Sequence, residues 1–197
     1  MLKRLFDIIV SAAGILLLSP FFVITAAIIK LDSKGPVFYR GVRVGRKGKL
    51  FKIYKFRTMV ADADRIGGSS TPEDDPRVTR IGGMLRKFKL DELPQLLNVL
   101  EGDMSFVGPR PQVEWAVRLY KENERKLLDV KPGITDHASL KFSNEDEILR
   151  GSTDPDKDYM EKIAPEKIKL GLEYANNNSF AGDILIIVRT LGKVLRR

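Results

Sequence analysis

The sequence predicts an α/β protein of the α+β kind: a mainly helical compact domain with a small β-hairpin element, preceded by an N-terminal re-entrant membrane helix. Three observations carry that expectation. Ile8 to Ile29 is a 22-residue stretch without a charge, apolar residues recur at helix-like spacing in four later segments, and β-branched and aromatic residues concentrate between positions 36 and 60.

The uncharged run is long enough, at ~1.5 Å per residue, to cross a hydrocarbon core of ~30 Å as a straight helix. Pro20 in its middle removes a backbone donor and clashes with the preceding turn, and Ser19 beside it is able to bond a carbonyl that the proline frees. Basic residues flank both ends, Lys3 and Arg4 before and Lys30, Lys34, Arg40 and Arg43 after, whereas a spanning helix keeps its positive end on the cytoplasmic side. A helix broken at Ser19-Pro20 that enters one leaflet and returns satisfies both facts. The plain alternatives are a proline-kinked spanning anchor and an uncleaved signal sequence. The domain division that follows is residues 1–33 for the membrane helix and 34–197 for a catalytic domain with an interfacial C-terminal helix.

Charge supports a membrane or phosphate partner. Residues 1–60 carry 12 lysines and arginines against Asp7 and Asp32 alone, so the whole-chain net charge of +8 resides in the N-terminal third. Nucleic acid is a poor third candidate, because the basic stretch directly follows the apolar run. The absence of cysteine excludes disulfides and thiolate metal sites, and a single histidine, His137, argues against zinc and histidine-triad chemistry.

After the apolar run, "GPVFYRGVRVGRKGKLFKIYKFRTM" places the turn residues Gly45 to Gly48 between β-prone arms, a hairpin; its interleaved aromatic and basic residues suit lipid headgroups or phosphates. Gly67 to Pro76 is loop. Val78 to Leu100 predicts one helix, or two short ones meeting near Asp91. Val113 to Val130 predicts an amphipathic helix, Asp136 to Asp158 mostly loop, Ala164 to Tyr174 a helix, and Ile184 to Arg197 a last helix with Ile184, Ile187, Val188, Leu191 and Leu195 on one face.

P-loop and dinucleotide fingerprints are absent. The suggestive pair is Asp91 and Glu92 in "KLDELPQL". Asp91 before Pro94 reads equally as a helix cap, but Arg86 upstream and Arg110 downstream make two carboxylates among guanidiniums, a set suited to Mg²⁺ and phosphoryl oxygens or to carboxylate nucleophilic attack. Pro109 and Pro111 stiffen the backbone around Arg110, which suits a phosphate or nucleotide clamp, with a structural ion pair as the alternative.

These stretches, "FKIYKFRTM", "LDELPQLLNVLEGDMSFVGPRP" and "VKPGIT" after "KRLFDIIVSAAGILLLSPFFVITAAIIKLDSKGPVFYR", resemble the bacterial sugar transferases that initiate glycan assembly, the small monotopic phosphoglycosyl transferases. The resemblance implies a Mg²⁺-dependent enzyme at the cytoplasmic face of the bacterial inner membrane. It would move a phosphosugar from a UDP-sugar to a polyprenyl phosphate and release UMP. It further implies Asp91 as the nucleophile, Asp91 and Glu92 at the metal, Arg110 with Pro109 and Pro111 at the nucleotide, and Arg57 and Arg86 near the phosphates. The implied partners are the UDP-sugar, the polyprenyl phosphate and the lipid bilayer, with a homodimer as an allowed assembly. The opposing expectation is a non-catalytic peripheral module that holds anionic lipid. After Thr135 the chain departs from the family pattern: Asp136 and His137 replace a Gly-Trp pair and Ser143 a usual arginine, with Lys141 as the candidate substitute cation.

Overall fold

The computed structural model describes residues 1–194; Leu195, Arg196 and Arg197, the end of the expected last helix, lie outside the described residues. Helix α1 (Leu2–Asp32) runs unbroken through Pro20. Proline withholds the N–H that would bond the Leu16 carbonyl, and the Ser19 hydroxyl donates to that oxygen instead at 2.8 Å. The backbone thus keeps helical angles through Pro20, so a change of direction there takes the form of a bend within one helix, with Ser19 supplying the bond that the proline withholds.

Asp7 and Ser11 toward one end of α1 and Thr25 and Ile29 toward the other are buried, whereas no residue between positions 12 and 24 is, and Leu16 and Leu17 are 75% and 78% exposed. Both ends dock on the same domain. Lys3 donates to the Val107 carbonyl (3.0 Å) and pairs with Asp183, and Arg4 donates to the carbonyls of Val99 and Leu100. The Asp7 carboxylate accepts from the Ser105 hydroxyl and the Phe106 amide, at 3.1 and 3.2 Å. At the far end Arg57 donates to the carbonyls of Ser33 and Lys34, both at 2.7 Å. Gly35, the residue after Lys34, has φ 129°, and a Cβ there would lie 1.8 Å from the Arg57 guanidinium, so no side chain fits.

Four short strands follow: β1 (Phe38–Tyr39), β2 (Val42–Val44), β3 (Leu50–Lys52) and β4 (Lys55–Phe56). β2 and β3 form the expected hairpin, Val44 opposite Leu50, with Arg46–Gly48 as a 3₁₀ turn, and β1 pairs antiparallel with β4. Phe56 brings β4 to α1, its ring 5.5 Å from both Phe22 and Phe38, in a core shared with Ile29 and Leu85.

Helix α2 (Ala63–Ile66) precedes the loop at 67–76. The next segment is two short helices, α3 (Arg80–Lys87) and α4 (Gln95–Glu101), separated by a 3₁₀ turn at Leu90–Glu92. Lys89, at φ 55°, breaks the path between them, and Thr79 caps α3 by accepting from the Gly82 amide at 3.0 Å. Gly82 touches the backbone of Thr58, where a Cβ would lie 2.0 Å from the carbonyl oxygen; α3 thus packs directly on the chain leaving β4.

Strand β5 (Ser105–Val107) pairs parallel with β6 (Gly133–Thr135), a connection that the sequence did not reveal. Between them lie α5 (Glu114–Arg118) and a 3₁₀ stretch at Glu122–Asp129 in place of the single helix expected over 113–130. The Glu124 carboxylate accepts from the Lys121 amide at 2.8 Å and fixes an extended residue there. The segment 136–158, expected as mostly loop, contains α6 (His137–Lys141), α7 (Glu145–Ile148) and the start of α8 (Pro155–Lys162). Asp136 and Asp154 cap α6 and α8 by accepting from the amides of Ser139 and Lys157. Helices α9 (Ala164–Asn177) and α10 (Phe180–Val194) close the chain, and Tyr174, Val107 and Ile186 join them to β5.

Candidate active site

The site forms where the turn between α3 and α4 meets β4 and the loop after β5. Glu92 is its electrostatic centre. Its Oε1 accepts from Lys55 Nζ at 2.8 Å and from Arg110, and its Oε2 accepts from the other Arg110 amino group at 3.0 Å. This two-pronged arrangement matches the planar fork of a guanidinium to a carboxylate. Burial alone would raise the Glu92 pKa, but Arg110 and Lys55 hold it well below the usual carboxylate range. Burial lowers the pKa of Lys55 in turn, against the attraction of Glu92.

Asp91, its neighbour in sequence, is driven the opposite way. Its side chain is buried, its Oδ1 has no hydrogen-bond partner, and burial together with the adjacent Glu92 charge raises its pKa. The carboxylate caps no backbone amide, so the helix-cap alternative fails. Adjacent carboxylates pushed in opposite directions are a signature of divided labour: one stays ionised to hold cations, the other is an under-solvated, energetic anion. Arg86 donates through Nε to the Thr58 hydroxyl at 2.8 Å, and the charge of Asp91 is the largest attraction on its guanidinium. Such an ensemble is able to bind a phosphoryl group and attack it.

Of the expected site residues, the structure thus brings together Asp91, Glu92, Arg86 and Arg110, the last held between Pro109 and Pro111. Arg57 and Lys141 are engaged elsewhere. The two amino groups of Arg57 are spent on the end of α1, and Lys141 pairs with Glu166 at 2.7 Å on the exposed side of α6. His137 is exposed. The sequence treated Lys55 as one of several surface cations; its pairing with Glu92 depends on β4 lying beside the 3₁₀ turn, which no local pattern encodes. Arg110 also lines a cleft with Gln112, Asp136, Ser139, Tyr159 and Lys167, so the divergent segment after Thr135 borders the site.

The charged cluster lies on the same domain to which both ends of the long apolar helix α1 are fastened. The bacterial sugar transferase family model matches residues 1–197, and the chain belongs to that family. It is 41% identical to the exopolysaccharide production protein PSS of Rhizobium leguminosarum bv. phaseoli over all of this chain and 96% of that one. It is 40% identical to the UDP-glucose:undecaprenyl-phosphate glucose-1-phosphate transferase of Escherichia coli K12, over 98% of this chain and 40% of the longer relative. It is 36% identical to the UDP-N-acetylgalactosamine-undecaprenyl-phosphate N-acetylgalactosaminephosphotransferase of Aeromonas hydrophila, over 98% of this chain and 44% of that one.

Proposed function

We propose that this protein transfers a phosphosugar from a UDP-sugar to polyprenyl phosphate, undecaprenyl phosphate by analogy with its relatives, as the first membrane step of glycan assembly. The observation that carries the reading is the Asp91–Glu92 pair: a buried carboxylate with an unpartnered oxygen beside one neutralised by Lys55 and Arg110. Asp91 attacks the sugar-bearing phosphorus; an Asp91 oxygen–phosphorus bond forms as the bond to UMP breaks. After UMP departs, a phosphate oxygen of the lipid attacks the same phosphorus and Asp91 leaves as a free carboxylate. Splitting the transfer in two lets a soluble donor and an insoluble acceptor use the site in turn.

Arg86 and Arg110 bind phosphoryl and nucleotide oxygens in this scheme, and Pro109 and Pro111 keep Arg110 aimed. Glu92 orients Arg110 and Lys55. The family implies Mg²⁺, and the Asp91 oxygen without a partner is a donor that suits a hard cation. Both Glu92 oxygens are taken by Lys55 and Arg110, so Asp91 is the residue that would hold the ion, with substrate phosphate oxygens and waters completing its shell. The ion would neutralise charge that builds on the phosphoryl oxygens.

Membrane placement follows from α1. It is the one helix among the described residues long and apolar enough to cross a bilayer, yet both its ends are fastened to the same domain. We read it as dipping into one leaflet with both flanks on the cytoplasmic side of the inner membrane. The test is UMP release from a panel of UDP-glucose, UDP-galactose and UDP-N-acetylgalactosamine, with and without polyprenyl phosphate and Mg²⁺. Turnover with one donor that requires both additions supports the reading; no UMP from any donor opposes it.

A further inference from the structure

Among the described residues, four buried side-chain polar atoms have no hydrogen-bond partner: Arg57 Nε, Asp91 Oδ1, and both Nε2 and Oε1 of Gln95. Three of the four fall within five residues. Folded proteins rarely leave a buried amide wholly unpaired, and this chain shows how it treats one that is structural. Asn98, on the same helix and equally at 0% exposure, accepts from the Tyr54 amide at 2.8 Å and donates to the Lys52 carbonyl at 2.9 Å. Gln95, also at 0%, makes neither bond.

Its place supplies the reason. Leu93 and Pro94 keep right-handed helical angles, so the chain from Leu90 into α4 is nearly continuous helix, and residues 91 and 95 lie one turn apart on one side of it. Such pairs sit ~5–6 Å apart at Cβ. Asp91, with its unmet acceptor, and Gln95, with its unmet donor, thus lie one turn apart on the same side of the chain, both buried.

We propose that Gln95 is a substrate-contacting residue whose Nε2–H donates to a non-bridging oxygen of the phosphoryl group as it moves onto Asp91, and holds that oxygen in the covalent adduct. This rests on the Asp91 reading above. The amide contributes a hydrogen bond and exchanges no proton; the bond made and the bond broken remain Asp91 O–P and P–O to UMP. A neutral donor suits the position because a lysine or arginine there would hold a permanent ion pair with Asp91, whereas an amide adds no charge beside the carboxylate.

The test is full-length Gln95→Leu and Gln95→Met protein in detergent, assayed with the active member of the UDP-sugar panel. Gln95→Leu removes no bond of the folded protein, so its thermal unfolding midpoint should equal or exceed wild type. Its kcat should fall about a hundredfold, in line with the loss of a single transition-state donor. KM for the UDP-sugar should change little, and the adduct on Asp91, read by intact mass with the acceptor withheld, should form correspondingly slowly. Gln95→Met, similar in length and uncharged but without the donor, should be as slow. A stable Gln95→Leu protein with wild-type kcat overturns the proposal. So does loss of stability in both variants in step with activity, which would make the amide a structural partner of a buried water. If Gln95→Leu alone fails to fold, a folded Gln95→Met protein decides: slow supports, wild-type speed overturns. Absence of any adduct on Asp91 in the wild-type protein overturns the Asp91 reading instead.

Discussion

Asp91 and Glu92 are adjacent, and their surroundings shift them in opposite directions: burial and the Glu92 charge raise the pKa of Asp91, while Arg110 and Lys55 outweigh burial and lower that of Glu92. A carboxyl whose folded pKa lies above its ordinary value of 3.8 disfavours folding once it ionises, so the penalty is absent below that value and complete above the raised one. Asp91→Asn protein is therefore expected to be more stable than wild type at neutral pH, with the gain vanishing near pH 3, and to release no UMP. Thermal unfolding at several pH values with a parallel UMP assay checks both parts. Glu92 runs the other way: its depressed pKa contributes stability that is present above its ordinary 4.5 and is lost as pH falls through the lower folded value. Glu92→Gln strands Lys55 and Arg110 and should cost roughly 2–4 kcal/mol, somewhat under the ~3–5 of a fully buried broken pair because Arg110 is partly exposed; denaturant titration measures it. The sequence marked Asp91, Glu92, Arg86 and Arg110 through their crowding of charge in two short motifs. It did not mark Lys55 or Gln95, since partnership across 37 residues and the absence of partners are both properties of the packed chain.

At the scale of elements, α1 and β4 belong together. Along Lys55–Thr58 successive side chains reach Glu92, the aromatic core, the end of α1 and Arg86. This short segment therefore links α1 to the site, and Arg57 is its fastening to α1. Arg57→Ala should destabilise by about 2–3 kcal/mol, the range for charged hydrogen bonds lost from a buried position, read by unfolding in detergent. Helix existence was legible from apolar periodicity, and the hairpin from its glycines. The breaks at Lys89 and Lys121 were not, because each depends on a backbone angle fixed by local bonds that hydrophobic spacing does not report. The capped helices α6 and α8 escaped notice because the segment's polarity masked their Asp136 and Asp154 caps.

For the whole molecule, the basic N-terminus turned out to be a docking device. Lys3, Arg4 and Asp7 bind α10, α4 and β5, so the residues read as topology signals also lock one end of α1 to the domain that Arg57 holds at the other. Because the chain has no cysteine, single cysteines at positions 2 and 47 report topology without background. Both should react with a thiol reagent only from the cytoplasmic side; labelling of position 2 from the periplasm alone would contradict a dipping helix.

The central claim is that Asp91 carries the phosphosugar between two partners that never meet. Its most direct test is the intact mass of the protein after incubation with the active UDP-sugar and Mg²⁺ while polyprenyl phosphate is withheld. The expected result is a gain of one sugar phosphate located on Asp91, lost on adding the lipid acceptor. Full turnover with unmodified protein throughout would contradict it.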